Sequence, residues 1–487
     1  MQASLLRLLA RLATKPALVA IFLLCAGPTG LMLAEFTPPG QVPDEPAHMA
    51  RAESLWRGQI IGHRQTMASG PDGKSYISAG VDVNEALFLA AFGQVTSISG
   101  RPVVTAQNQQ AEQAISRGRD IGFATIPNTV RSFPAFYLPA AAGIELGWLA
   151  GLSPYHCFLV ARLGMLASFL CLGAAALSLA TFGGGFLLAV LLLPMTLFLA
   201  ASLNLDGQMI GAACLGAALL TRNAIAPGGS AAAVALMLIA AAKPPYLPLL
   251  FCRAVPLRGP QLAKRLAVAV AAVLMVLFWA AIIAKTVIVR MEVGPYHPGA
   301  LWPGDKTATL YFTDPAGNLQ VLLGKPIRFL VLPLHSLWTL GHQNISEAIG
   351  GLGAAGNSLA KSWFLCWGAA AVIAFAGATL PGRADALVWR GMDAILVGVM
   401  LIATIYGFEL STYLSWSHLG DPVIEGVTGR YFLPVLPFLP LTVPKLKLSN
   451  PDFIAACRLV SIFPVCLLGL FDTIYLPLKL IDIYYVY

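Results

Sequence analysis

The sequence is short of charge. Of its 487 residues only 11% are Asp, Glu, Lys or Arg, and just 23 are acidic, where soluble domains carry roughly 25% charged residues. That scarcity excludes a soluble enzyme and a disordered chain, which needs high polarity to remain solvated. Paired cysteines are missing too. The eight cysteines stand singly in apolar stretches with no CxxC, so neither a zinc site nor a disulfide scaffold is indicated. The histidines are unclustered, which argues against a histidine-based metal site. What is plentiful is apolar: 57% of residues are hydrophobic, the mean hydropathy is +0.74, and long apolar runs recur from Pro16 onward. The chain reads as an all-α polytopic membrane protein. Its net charge of +8 suits cytoplasmic loops facing anionic lipid better than a nucleic-acid partner.

A spanning helix needs about 20 mostly apolar residues, and cytoplasmic loops are enriched in Lys and Arg. Arg7, Arg11 and Lys15 precede the apolar run Pro16–Ala34, which places the N-terminus in the cytoplasm and sends the first helix outward. A signal peptide is the competing reading, but no A-x-A-like cleavage site follows. Residues 36–131 then form a large first external loop with eight carboxylates. Residues 133–152, broken by Pro134 and Pro139 with no basic cluster beyond them, read as an interfacial helix. The opposite choice would put Asn204 and Asp206 inside and Arg222 outside. Further spans are expected over 155–179, 185–202 and up to Arg222, followed by two half-spans over 230–252 that meet at Lys243. A span over 266–288 leads to a second external segment, 290–360. Two spans flank the basic turn Arg383–Arg390, and the last two end at Lys445 and near Leu476. The sum is about eleven spans, in a range of nine to thirteen.

The densest local signal is Gln41-Val-Pro-Asp-Glu-Pro-Ala-His48, directly after the first helix. Pro43 and Pro46 restrict the backbone around Asp44 and Glu45, making a fixed acidic point. A carboxylate there suits a general base or a divalent-cation ligand; a solvated turn or helix N-cap is the plainer reading. Residues 50–58 have helical spacing and place Trp56 at headgroup depth in an interfacial amphipathic helix. Asn204 and Asp206 lie at a turn between apolar runs. Lys243, in Ala-Lys-Pro-Pro-Tyr, is expensive in a membrane unless paired or snorkelling. Arg430 opens an apolar segment after Gly429, and its planar guanidinium suits bidentate phosphate contact. A structural ion pair to Glu409 or Asp421 is the alternative.

The runs VPDEPAHMARAESLWRG, SFPAFYLPAA, LPMTLFLAASLNLDG, AAKPPYLPL and GVTGRYFLPVLPFLPL resemble, in the same order, the bacterial membrane family called domain of unknown function 2142. That family is placed in the GT-C superfamily of membrane glycosyltransferases. Two positions depart from its pattern: Thr428 replaces the usual Gln and Leu205 the usual Pro, and neither change removes a charge. The resemblance implies one GT-C-type domain over 1–487, in the bacterial cytoplasmic membrane with its site facing the periplasm. It implies transfer of a sugar, by inversion, from a polyprenyl-phosphate (undecaprenyl-phosphate) donor to a cell-envelope glycan or lipid-linked acceptor. Asp44 would be catalytic base or metal ligand, with Glu45 as its partner or substitute and Asp206 as second acid. Lys243, Arg430 and Tyr431 would hold the donor phosphate, supported by His48 and Asn204. An Mg or Mn ion on Asp44 and Asp206 is an optional cofactor. Membrane lipids are expected partners and nucleic acid is not. A flippase or transporter of lipid-linked glycan is the alternative from another class, although no inverted repeat is visible; a polysaccharide polymerase is a close variant of the first reading, and a non-catalytic scaffold is a third.

Overall fold

Backbone amides in lipid must be satisfied within their own segment, so apolar runs become helices. The computed structural model describes residues 13–68, 73–93, 95–98, 101–222, 228–292, 300–301, 312–353, 357–381 and 391–486. Arg7, Arg11 and the basic turn Arg383–Arg390 lie outside the described residues. Among the described residues, five helices are long and apolar enough to cross a membrane: Lys15–Phe36, Pro154–Leu179, Leu262–Thr286, Gly391–Ser415 and Pro451–Tyr484. Two bent pairs raise the number to seven if each is one span: Pro194–Ala200 with Leu205–Leu220, turned by 116°, and Pro315–Gly324 with Arg328–Gly350, turned by 108°. This is a mostly helical membrane protein with several apolar helices.

Proline and length explain why fewer long helices form than apolar runs suggest. Pro194 separates Gly184–Leu192 from Pro194–Ala200. Pro434, Pro437 and Pro440 recur every three residues; each lacks an amide donor, and Gly429–Leu441 is a 3₁₀ helix instead of an α-helical span. Pro244–Ala254 is 3₁₀ as well, so the expected second half-span is not α-helical. Within 133–152 the structure has a short 3₁₀ turn, Pro134–Tyr137, and a helix, Leu138–Leu149. At 1.5 Å per residue that 12-residue helix extends about 18 Å, well short of a bilayer core. The last helix runs on to Tyr484, beyond the expected end near Leu476.

The all-α expectation is corrected in the first polar segment. Strands His63–Met67, Tyr76–Asn84 and Ile121–Thr125 form a three-stranded antiparallel sheet, with His63 opposite Gly80 and Gly80 opposite Thr125. Tyr76–Asn84 is the central strand and buries Ala79, Val81 and Val83. The amphipathic helix expected after Asp44 is present as Glu45–Trp56, with Trp56 exposed at its end.

Small residues bring the helices together. Leu138–Leu149 packs on Pro154–Leu179, and a Cβ added at Gly143 would lie 2.7 Å from the Val160 carbonyl oxygen. Such close backbone approach is the usual basis of helix association in membranes. The junction above it is electrostatic. Arg162, inside the Pro154–Leu179 helix, is fully buried and bonds both carboxylate oxygens of Glu45, at 2.8 and 2.6 Å. It also donates to the Ala34 and Thr37 carbonyls at the end of the first helix. One side chain thereby fixes where the first helix ends and the Glu45–Trp56 helix begins. Replacing Arg162 with Met strands a buried carboxylate, and the expected cost is about 3–5 kcal/mol. Thermal unfolding in detergent reads it; a variant as stable as the wild type contradicts the assignment.

Candidate active site

The site begins with the turn that Arg162 holds. Asp44 takes the N-cap position of the Glu45–Trp56 helix with φ of 62°, the only described non-glycine residue with positive φ. Strain of this kind persists only where the surroundings impose it, and it concentrates at functional positions. The Asp44 side chain makes no capping bond, so the residue is an N-cap by position and its carboxylate is left for another partner. Its carboxylate, 40% exposed, instead accepts a 2.8 Å hydrogen bond from Arg430 Nη2.

Asp206 joins from another element. Asn204 caps the Leu205–Leu220 helix, its Oδ1 accepting from the Asp206 amide at 2.8 Å. Its Nδ2 donates to the Pro43 carbonyl at 3.0 Å, tying the two turns together. Asp206 therefore lies buried in the first turn of a helix, where the backbone dipole favours negative charge. Lys243 donates to its Oδ1, and Arg430 Nε lies 3.5 Å from its Oδ2. Arg430 is buried, and its Nε and Nη1 have no hydrogen-bond acceptor. Neither Glu409 nor Asp421 is its partner.

Gly429 explains how Arg430 gets there. A Cβ at Gly429 would lie 1.8 Å from the Asn344 carbonyl oxygen, so only glycine lets the start of this 3₁₀ segment press against the Arg328–Gly350 helix. Its amide donates to Glu347 Oε2 at 3.0 Å. Tyr431 follows with its ring 4.1 Å below Lys243 Nζ and stacked on Phe408 at 5.3 Å. The Tyr431 carbonyl accepts from the Tyr246 hydroxyl at 2.7 Å.

Of the residues expected from sequence, Asp44, Asp206, Lys243, Arg430 and Tyr431 come together. Asn204 supports them through the backbone. His48 sits one helical turn after Asp44, buried, with Nδ1 2.7 Å from the Tyr137 hydroxyl. Burial pushes its imidazole down to about 4, opposed by Asp44 and Asp206 and reinforced by Lys243 and Arg430. Glu45 is placed differently from expectation. Both its oxygens face Arg162, and Oε1 also accepts from the Leu203 amide at 3.1 Å. It is fully buried and engaged by Arg162, so it fixes the turn that carries Asp44 instead of joining the Arg430–Asp206 cluster. The optional Mg or Mn ion does not fit either, because the Arg430 guanidinium already contacts both Asp44 and Asp206. Among the described residues no three His, Cys, Asp or Glu side chains converge.

The family described as "predicted membrane protein" (DUF2142) matches residues 28–439, a stretch that holds every one of these side chains. The chain belongs to the DUF2142 family. No curated protein and no solved structure matches it. The motifs of this DUF2142 protein do not single out Arg162, Tyr137, Tyr246 or Glu347. Arg162 had a signal, a charge inside a 26-residue apolar helix; the tyrosines had none, since buried aromatics are ordinary core.

The His48 shift has a testable sign. Its imidazole titrates near 4 in the folded protein and near 6.5 when exposed, so the unfolded chain holds the extra proton between those values. The stability that neutral His48 contributes is complete above about pH 6.5 and is lost as pH falls toward 4, by up to about 3 kcal/mol. His48→Gln should flatten this stretch of the stability–pH profile. A variant that keeps the full wild-type slope there contradicts the assignment.

Proposed function

We propose that this DUF2142 protein is a GT-C-type membrane glycosyltransferase that moves a sugar from a polyprenyl-phosphate donor to a cell-envelope glycan or lipid-linked acceptor. In this reading it is a multi-pass protein of the bacterial cytoplasmic membrane, with about eleven crossings once short and proline-broken segments are included. Its N-terminus is cytoplasmic, residues 36–131 and 290–360 are external, and the site faces the periplasm. One observation carries the proposal: Arg430 touches both Asp44 and Asp206 while two of its guanidinium nitrogens remain without acceptors in a buried position. Buried donors without partners are costly, and a phosphate oxygen is the acceptor that suits a guanidinium fork.

The chemistry follows from the two signs of charge. The acceptor hydroxyl oxygen attacks the anomeric carbon, the bond from that carbon to the phosphate oxygen breaks, and its electron pair leaves on the phosphate. The hydroxyl proton goes to the Asp44 carboxylate, the more accessible of the two acids. Arg430 and Lys243 stabilise the charge that grows on the departing phosphate. Tyr431, held by Phe408 and Tyr246, keeps Lys243 over its ring. A single displacement of this kind inverts the anomeric centre. No step passes through a metal.

A flippase would move the same lipid-linked glycan without breaking the anomeric bond, and a polymerase would use the same bond change on a growing glycan. Purified protein in proteoliposomes with a labelled polyprenyl-phosphate sugar separates transfer from movement. The expected result is covalent transfer that Asp44→Asn lowers by about 10²–10⁴-fold, the usual worth of a general base, with folding unchanged. Transfer retained by Asp44→Asn removes Asp44 from its role; movement without transfer supports the flippase.

A further inference from the structure

The charges of the cluster's two cations are already matched by carboxylates. Lys243 bonds Asp206, and Arg430 contacts Asp44 and Asp206. Two positive and two negative charges cancel, so an incoming anion would meet a neutral group of side chains. A third cation borders the same place. Arg131 closes the first polar segment, and its backbone carbonyl accepts from the Trp279 indole at 3.2 Å. Two residues later the Phe133 amide donates to the Ala241 carbonyl at 3.3 Å, two residues before Lys243. The Phe133 ring meets Trp279 edge-on at 5.0 Å. The backbone of Arg131 is therefore clamped between the Leu262–Thr286 helix and the end of the helix that presents Lys243.

Its guanidinium is not clamped. The Nε donates to the Asn128 carbonyl in its own turn at 3.0 Å, and no carboxylate pairs with it among the described residues. The side chain is exposed, yet the surrounding chain pushes its pKa below the ordinary arginine value, with the Tyr431 phenol opposing. Tyr431 is also the ring beneath Lys243, at 4.1 Å, and lies 5.5 Å from the Arg430 guanidinium, so the phenol whose charge acts on Arg131 borders both other cations.

We propose that Arg131 is the third and unneutralised cation of this site, and that it gives the site the net positive charge with which it binds a phosphoryl group. This rests on reading the cluster as a donor-phosphate site, and it adds a residue that the motifs did not indicate. An alkyl phosphate and free inorganic phosphate offer the same phosphoryl chemistry, and titration of each against the full-length protein in neutral detergent tells the sources apart.

The expected result is saturable binding of decyl phosphate by the wild type, weakened about tenfold or more in Arg131→Gln and less sensitive to salt than before. Arg131→Lys keeps most of the affinity, and without ligand both variants melt with the wild type. Comparable binding of inorganic phosphate, with the same loss in Arg131→Gln, supports the site with a free anion as its ligand. Arg131→Gln that binds decyl phosphate as tightly as the wild type, while Lys243→Gln does not bind, overturns the inference and leaves the phosphate site in place. A wild type that binds neither probe overturns the donor-phosphate reading and this extension together.

Discussion

The structure depends on one buried ion pair. Arg162 and Glu45 lie 117 residues apart in sequence, both fully buried, and join through two hydrogen bonds. An arginine within an apolar helix must find partners. Here it finds the carboxylate that opens one helix and the carbonyls that end another. The same Glu45 receives the Leu203 amide, so three chain turns meet at a single carboxylate. Asp44 is held in a left-handed conformation as the immediate neighbour of that carboxylate. The strained acid and the buried pair are two halves of one device, in which Glu45 is fixed so that Asp44 can point elsewhere.

The charges at the candidate site obey the same economy of scarce residues. With few ionisable side chains in the whole sequence, four distant segments each send one or two to a single location. Arg430 is the side chain that bridges them, reaching Asp44 of the first polar segment and Asp206 of the bent helix pair. Lys243 neutralises Asp206 from a break between a helix and a 3₁₀ turn, where the proline pair ends regular hydrogen bonding. The irregular backbone is concentrated where the charges meet. That is how membrane proteins place non-helical chain at a site, since it is tolerated only where protein or a cavity satisfies it.

Much of this was legible in the sequence, and the remainder was not for identifiable reasons. Composition alone gave the membrane character, and the acidic turn at Asp44 stood out because two prolines framed it. Arg430 and Lys243 stood out as cations in apolar surroundings. Their partners could not be read, since Asp44 and Arg430 are 386 residues apart and no periodicity links them. Glu45 was grouped with Asp44 by adjacency, but consecutive residues at a helix start point in different directions, and one of the pair turned inward. Helix number was hard to read for a related reason: hydropathy counts apolar residues, while Pro434, Pro437 and Pro440 decide whether those residues can form an α-helix. The small sheet was missed because its edge strands have only five residues each and the whole sheet lies in a polar stretch.

The central claim is that Arg430 joins Asp44 and Asp206 into a phosphate-binding site. A cryo-EM structure of the protein in nanodiscs with a non-hydrolysable polyprenyl-phosphate sugar analogue tests it most directly. Phosphate density is expected against Arg430 and Lys243, with the Asp44 carboxylate facing the anomeric carbon. Density for the bound phosphate at any other place, with the Arg430–Asp44 pair undisturbed, would contradict it.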